Sequence, residues 1–251
     1  MKTLILAAAA SLALITAAQA QTVRLGTEGA YPPWNFLDDN GEVAGFEIEL
    51  GNELCERAGL ECTWVTNEWD TIIPNLQAGN FDAIMAGMSI TDERKESIDF
   101  SENYFPPDPS MYVTTAGGEF DFDNLSGVRI GVQGATIQAA HVEENFASDN
   151  TVLSFETADQ ALADLNAGNV DVILADGSYL QEIVGGSGGA LEIVGPEVLI
   201  GGGVGIGLRK ADDDLENKFN EVISAAKADG TIDGLITKWF PEKGTGPFFD
   251  E

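Results

Sequence analysis

Histidine is nearly absent from this chain: His141 stands alone among 251 residues. A structural zinc site therefore lacks donors, and neither a metal nor a cofactor is expected. Cysteine is scarce as well, with only Cys55 and Cys62. Basic residues are heavily outnumbered, 12 Lys and Arg against 42 Asp and Glu, for a formal net charge of −30. Such a surface repels phosphates, which excludes nucleic acid as a partner. It mildly favours cationic ligands, although a solvating acidic coat is the simpler cause of the charge. Beyond the first eighteen residues there is no long apolar run, so no membrane span is expected in the body of the chain. No Ser–His–Asp set, phosphate loop or metal cluster is legible, and enzymatic function is not expected.

What the start does have is a targeting pattern. Lys2 is the only charge there, an apolar run extends from Leu4 to Ala18, and Ala18-Gln19-Ala20 has small residues flanking a cut. Residues 1–20 read as a secretory signal peptide cleaved after Ala20, giving an exported, periplasmic protein. A membrane anchor would need a charged stop after the run, and none follows. No cysteine lies near the cut to carry a lipid. In an exported chain the even cysteine count suggests a disulfide closing a short loop. About 230 residues remain, enough for one large domain or two small ones, and 44% hydrophobic residues can form a core.

The most informative presence is a repetition. "LQAGNFDAIMAGMS" (76–89) and "LNAGNVDVILADGS" (165–178) agree at eight of fourteen positions with a constant offset of 89. Around the first copy, Val23–Thr27 reads as a strand, 45–58 as a helix with apolar spacing, and 62–65 as a strand. Asp70 is placed to cap a helix running through Leu76, with Pro74 near its first turn, and Phe81–Met85 reads as a strand. Thr91 is an expected N-cap with Asp92 and Glu93 in the first turn. Strand 127–132 and a helix starting at Thr136 precede the second copy. The Gly-rich stretch "VGGSGGALEIVG" separates it from a strand at 204–208 and two closing helices. His141 falls on a helix, exposed. The acids of "ADDDLEN" fit a helix start better than a calcium loop. Strands alternating with helices give an α/β class with parallel sheets. Two lobes of similar plan explain the echo. Functional groups in such sheets gather at strand carboxyl ends, which both copies reach at Ala86-Gly87-Met88-Ser89 and Ala175-Asp176.

These stretches, together with "VRLGTEGAYPPWNF", "GFEIELGNELCERAGLECTWV", "DAIMAGMSITDERKESIDFS", "GVQGAT" and "GIGLRKADDDLENKFN…DGTIDGLITKWF", resemble the periplasmic amino-acid-binding proteins of ABC importers. The likeness is to the lysine/arginine/ornithine/histidine-binding branch of solute-binding family 3 and its opine-binding relatives, and it covers nearly the whole mature chain. It implies a two-lobe, hinge-closing fold (type II) around a central cleft. Lobe one would hold residues 22–108 and 206–251, lobe two 111–203, with hinge strands near 109–111 and 203–206. It also implies a Cys55–Cys62 disulfide, an amino-acid ligand, a membrane permease as partner and a monomeric protein.

An α-amino acid carries a carboxylate and an ammonium that must both be paired when buried. Arg94 offers a fork for the carboxylate and matches the family arginine, although a surface arginine paired with Glu93 or Glu96 would look the same in sequence. Thr136, at a helix start, matches a threonine that meets the same carboxylate. Asp176, where the repeat breaks, suits the ammonium; alone it would read as a turn residue. Ser89 can donate or accept beside that pair. Tyr31 and Trp69 match rings that sandwich the ligand side chain, and core packing is their ordinary alternative. Glu28 matches an acid meeting a distal charge. Ala86, Gly87 and Met88 depart from the two serines frequent in the basic-amino-acid branch, which removes hydroxyls and opens space. The first expectation is therefore a basic amino acid, arginine, lysine, ornithine or histidine. An opine or other N-substituted amino acid is the alternative. A dehydratase-type enzyme using Glu28 or Asp176 as acid and a sensory binding protein rank below both.

Overall fold

The computed structural model describes residues 22–249, and the expected leader at 1–20 lies outside the described residues. Strand β1 (Thr22–Thr27) comes first. The aromatic, proline-bearing segment behind it folds into a small antiparallel sheet of β2 (Ala30–Tyr31), β3 (Asn35–Leu37) and β4 (Val43–Ala44). Helix α1 (Phe46–Ala58) begins behind Gly45, whose φ of 122° and collision course with the Trp34 carbonyl admit no side chain. The helix buries Phe46, Ile48, Leu50, Leu54 and Cys55, the stripe expected from the spacing. Strand β5 (Glu61–Thr66) follows, and the Cys55–Cys62 disulfide joins the helix end to it.

Asp70 does not cap the next helix. It sits inside a 3-10 turn over Trp69–Thr71, and α2 (Ile72–Gln77) starts from Thr71 without a side-chain cap bond. Strand β6 (Ala83–Ile84) is shorter than the expected five residues, although the Asp82 and Met85 N–H groups still donate to the Arg24 and Gly26 carbonyls of β1; Phe81 packs beneath β1, where a Cβ on Gly26 would lie 2.6 Å from its ring. Thr91 does cap α3 (Asp92–Lys95), accepting from the Arg94 N–H. The chain continues through β7 (Asp99–Phe105), β8 (Ser110–Thr115) and β9 (Arg129–Gln133). Helix α4 (Ile137–Phe146) starts from Thr136, whose hydroxyl accepts from the Ala139 N–H.

Next come β10 (Thr151–Phe155), α5 (Ala158–Asn166), β11 (Val172–Asp176) and α6 (Gly177–Gly186). The Gly-rich stretch is not simply a connector. It ends α6 and then forms β12 (Leu191–Val198), an edge strand that tolerates Gly195 and Pro196 at its irregular end. Strand β13 (Val204–Leu208) leads to α7 (Asp213–Ala228) and α8 (Thr231–Trp239).

Two five-stranded sheets result, ordered β5-β1-β6-β13-β7 and β10-β9-β11-β8-β12. They share one plan, three parallel strands followed by an antiparallel fourth that pairs a fifth. The repeat occupies equivalent places in each. Gly79 (φ 78°) and Gly168 (φ 75°) both stop a helix in the left-handed region. Asn80 then bonds Asn75 at 2.7 Å, and Asn169 bonds Asp164 at 2.6 Å. Just before β6, Asp82 accepts the backbone N–H and the guanidinium of Arg24; Asp171 does the same for Arg129 before β11. The sequence repeat thus encodes a helix stop plus an arginine fork that pins one parallel strand to its neighbour.

The first lobe is built on the first sheet with α1, α7 and α8 packed together. Its centre is an aromatic knot of Trp34, Phe46, Phe105 and Phe240, with ring centroids 4.4–5.7 Å apart. Each such buried ring contributes roughly 1.5–3 kcal/mol relative to exposure. Residues 106–109 and 199–203 carry the chain between the sheets, so the expected hinge positions fall at the starts of β8 and β13.

Candidate functional site

Where the two sheets face each other, strand ends from both converge on one cavity. From the first lobe come Glu28 behind β1, Tyr31, Trp69, and the turn Ala86, Gly87 and Ser89 behind β6, with Arg94 on α3. Thr136 at the start of α4 and Asp176 at the end of β11 face them from the second. Nine of the ten expected ligand residues therefore share this cleft. Met88 does not: past the left-handed turn at Gly87 it is fully buried in a first-lobe cluster with Trp69, Ile72 and Phe81. The space attributed to Ala86, Gly87 and Met88 reduces to Ala86 and Gly87. Gly87 has a φ of 63°, a conformation glycine adopts without strain.

Arg94 lies with its guanidinium over the Trp69 ring, 5.3 Å from the centroid. Its Nη1 donates to the Ser89 carbonyl at 2.9 Å and its Nη2 to the Ala135 carbonyl at 3.4 Å. It forms no ion pair among the described residues, Glu93 and Glu96 included. Loss of water lowers its pKa to about 10, with Asp176 and Glu93 pulling the other way. A guanidinium so placed can pair with an anion that enters the cleft.

Asp176 answers it from the facing wall. Its Oδ2 accepts from the Tyr31 hydroxyl and its Oδ1 from the Gln138 amide, both at 2.8 Å. What surface it exposes faces the narrow cleft rather than bulk water, and burial raises its pKa to about 6. The Asp108 charge adds to that rise, while the two hydrogen bonds and Arg94 oppose it. Glu28 is raised further, to about 7, by burial first and then by the charges of Asp159, Glu47 and Asp70; its bond from Gln133 at 2.6 Å acts against the rise. The cleft thus holds one cation and two carboxyl groups whose ionised forms a nearby positive charge would favour.

Tyr31 is expected to flank a ligand side chain, and the structure gives it two contacts across the cleft. It bonds Asp176 and stacks on Tyr179, centroids 4.6 Å apart and planes within 17°. Three further bonds cross between lobes: the Gln133 amide to the Glu28 carboxylate, Trp69 Nε1 to the Ala135 carbonyl at 3.2 Å, and Arg94 to the same carbonyl. Ala135 adopts φ 55°, left-handed and strained for a residue with a Cβ, and this turn presents its carbonyl to the first lobe.

Sequence reasoning passed over Gln133, Gln138 and Tyr179. Gln133 lay inside the quoted "GVQGAT", but a glutamine before a helix carries no signal of its own. Gln138 is 4% exposed and also bonds the Ser110 hydroxyl. Its position in the first turn behind an N-cap threonine was the available clue. Tyr179, three residues past Asp176, faces inward on the first turn of α6 and donates to Asp159.

Two α/β lobes with a cation on one wall and a carboxylate on the other define a hinged receptor for a small dipolar molecule. The chain belongs to the bacterial extracellular solute-binding proteins, family 3, whose model matches residues 23–242. An L-arginine-binding protein of Pseudomonas aeruginosa is 36% identical over 91% of this chain and 92% of its own. The lysine/arginine/ornithine-binding periplasmic protein of Escherichia coli K12 is 35% identical, over 96% and 97%. Among solved structures, a periplasmic His/Glu/Gln/Arg/opine family-binding protein from Silicibacter pomeroyi in complex with lysine is 53% identical. It superimposes with a TM-score of 0.82 and covers 89% of this chain and 99% of that one.

Proposed function

We propose that this protein is the periplasmic receptor of an ABC importer, capturing a basic α-amino acid and delivering it to a membrane permease. The observation that carries this reading is Arg94, a half-buried guanidinium without an ion pair among the described residues, facing Asp176 across one cleft. In this reading Arg94 and Thr136 take the ligand carboxylate, and Asp176 takes the ammonium. Ser89 and the backbone at Ala86 and Gly87 bond beside them, and Trp69 and Tyr31 flank the side chain. Glu28, in its acidic surroundings, meets the distal cation. The lobes, 22–108 with 206–251 and 111–203, move about the segments joining the sheets. The ligand stabilises the closed form through contacts to both. The protein acts as a monomer, is exported by cleavage after Ala20, and performs no turnover. Asp176 is held by two donors and neutralised by an ammonium, a setting for binding rather than proton transfer.

The test is calorimetric titration with L-arginine, L-lysine, L-ornithine and L-histidine, with L-glutamine as the neutral control. Tight binding of at least one basic ligand is expected, and silence for all four overturns the reading. A second reading, an opine such as octopine or nopaline, is favoured by the space that Ala86 and Gly87, without hydroxyl side chains, leave in the cleft that Asp176 also lines. An N-substituent would extend there, and a larger thermal shift with octopine than with arginine would select it.

A further inference from the structure

One carboxylate in the first lobe faces neither solvent nor a cation, yet every part of it is engaged. Glu47 lies in the first turn of α1 and is 0% exposed. Its Oε1 accepts from the Gly87 N–H at 2.6 Å and from the Tyr104 hydroxyl through a short bond, and its Oε2 accepts from the Asn35 amide at 2.7 Å. Asn35, equally buried, turns its own oxygen to the Gly29 N–H at 2.7 Å. Two segments of the cleft wall, 28–31 and 86–89, are therefore tied to one acid, one directly and one through Asn35.

No lysine or arginine pairs with Glu47 among the described residues. Burial raises its pKa, and the bonds from Tyr104, Gly87 and Asn35 oppose that rise. An apolar side chain would fill the same volume but leave three buried donors without acceptors. The peptide joining Ala86 to Gly87 is planar and trans, so an N–H fixed toward the core turns the Ala86 carbonyl the opposite way. Both residues line the cavity.

We infer that Glu47 is a positioning residue for the ligand: it fixes the Ala86–Gly87 peptide and, through Asn35, the Glu28–Tyr31 loop. It thereby sets the first-lobe groups that meet the ammonium and the side chain. This role rests on the amino-acid reading of the cleft.

Glu47→Gln tests it. A glutamine amide must set an N–H₂ against either Asn35 or the Gly87 and Tyr104 donors, whereas the pair Glu47→Gln/Asn35→Asp restores every donor to an acceptor and keeps the charge. Calorimetry with L-arginine is run on folded samples, and amide exchange is followed at Gly29 and Gly87. The single variant is expected to bind about tenfold more weakly or worse and to lose protection at both glycines together. The paired variant is expected to return both readouts to about the parent values. A folded Glu47→Gln with parent affinity and parent exchange overturns the assignment. So does a paired variant that binds as poorly as the single one. If Glu47→Gln does not fold, the paired variant decides alone: parent-like binding and protection support the role, and failure of either overturns it. Should the parent itself ignore arginine, the ligand reading falls, and exchange at the two glycines still decides the role of Glu47.

Discussion

Acidification from pH 7 to pH 5 should loosen the grip on a basic amino acid by an amount set by two carboxyl groups. Asp176 titrates at about 6 and Glu28 at about 7 in the cleft, both raised chiefly by burial. A cationic ligand needs them ionised. At pH 5 a group with pKa near 6 is ionised in about one molecule in eleven, which costs about 1.4 kcal/mol of binding. Glu28, already half protonated at pH 7, adds about 2.3 kcal/mol if its charge is used in full, so the combined loss reaches about five hundredfold. The ligand guanidinium or ammonium stays charged throughout that range. Titrations with L-arginine at pH 5, 6 and 7, in buffers of different ionisation enthalpy, would show affinity rising with pH and between one and two protons released at the acidic end. Asp176→Asn should flatten the profile by one proton. A dissociation constant unchanged within about threefold across the range would refute the coupling between these acids and the ligand.

Three further outcomes follow from the same geometry. Asp176→Ala and Arg94→Lys should each weaken arginine binding at pH 7 by about tenfold or more, measured by calorimetry, since one loses the counter-ion and the other the planar fork. In the absence of ligand, the raised pKa values of Asp176 and Glu28 contribute stability that is full below about pH 4 and fades as pH rises through about 6 and 7; Glu28→Gln should therefore lose less thermal stability than the parent between pH 5 and 8. Breaking the Cys55–Cys62 link, which spans seven positions, should cost about 2.5 kcal/mol in denaturant melts while leaving ligand affinity intact. The bond lies at the amino end of β5, and the cleft lies at the carboxyl ends of the parallel strands.

Much of this architecture was legible because local rules and tertiary contacts agreed. Thr91 and Thr136 cap helices as read, α1 shows its apolar stripe, and β13 spans the expected residues. Disagreement arose where the tertiary environment overrode a local pattern. Asp70 was absorbed into a 3-10 turn beside the buried Trp69, which leaves α2 to start from Thr71. Strand β12 hid among glycines, since an edge strand needs less side-chain packing. In the site, charged residues announced themselves by motif and repeat. Gln133, Gln138 and Tyr179 act through partners brought from distant segments, and no spacing in the chain encodes those meetings. Met88 lies in the first-lobe core instead, past a left-handed turn at Gly87 that no residue spacing announced.

The order of strands in the first sheet has a bearing on how the molecule is made. Strands β8 to β12 come from one uninterrupted segment, so the second lobe holds all five of its strands once residue 198 has emerged. The first lobe cannot finish then. Its β7 touches the sheet only through β13, and that filler strand arrives after the whole of the other lobe has been synthesised. A polypeptide shortened before Val204 would leave β6 with a bare flank and β7 with nothing to bind. Maturation of the receptor is thus gated by its last fifth, whichever lobe collapses first.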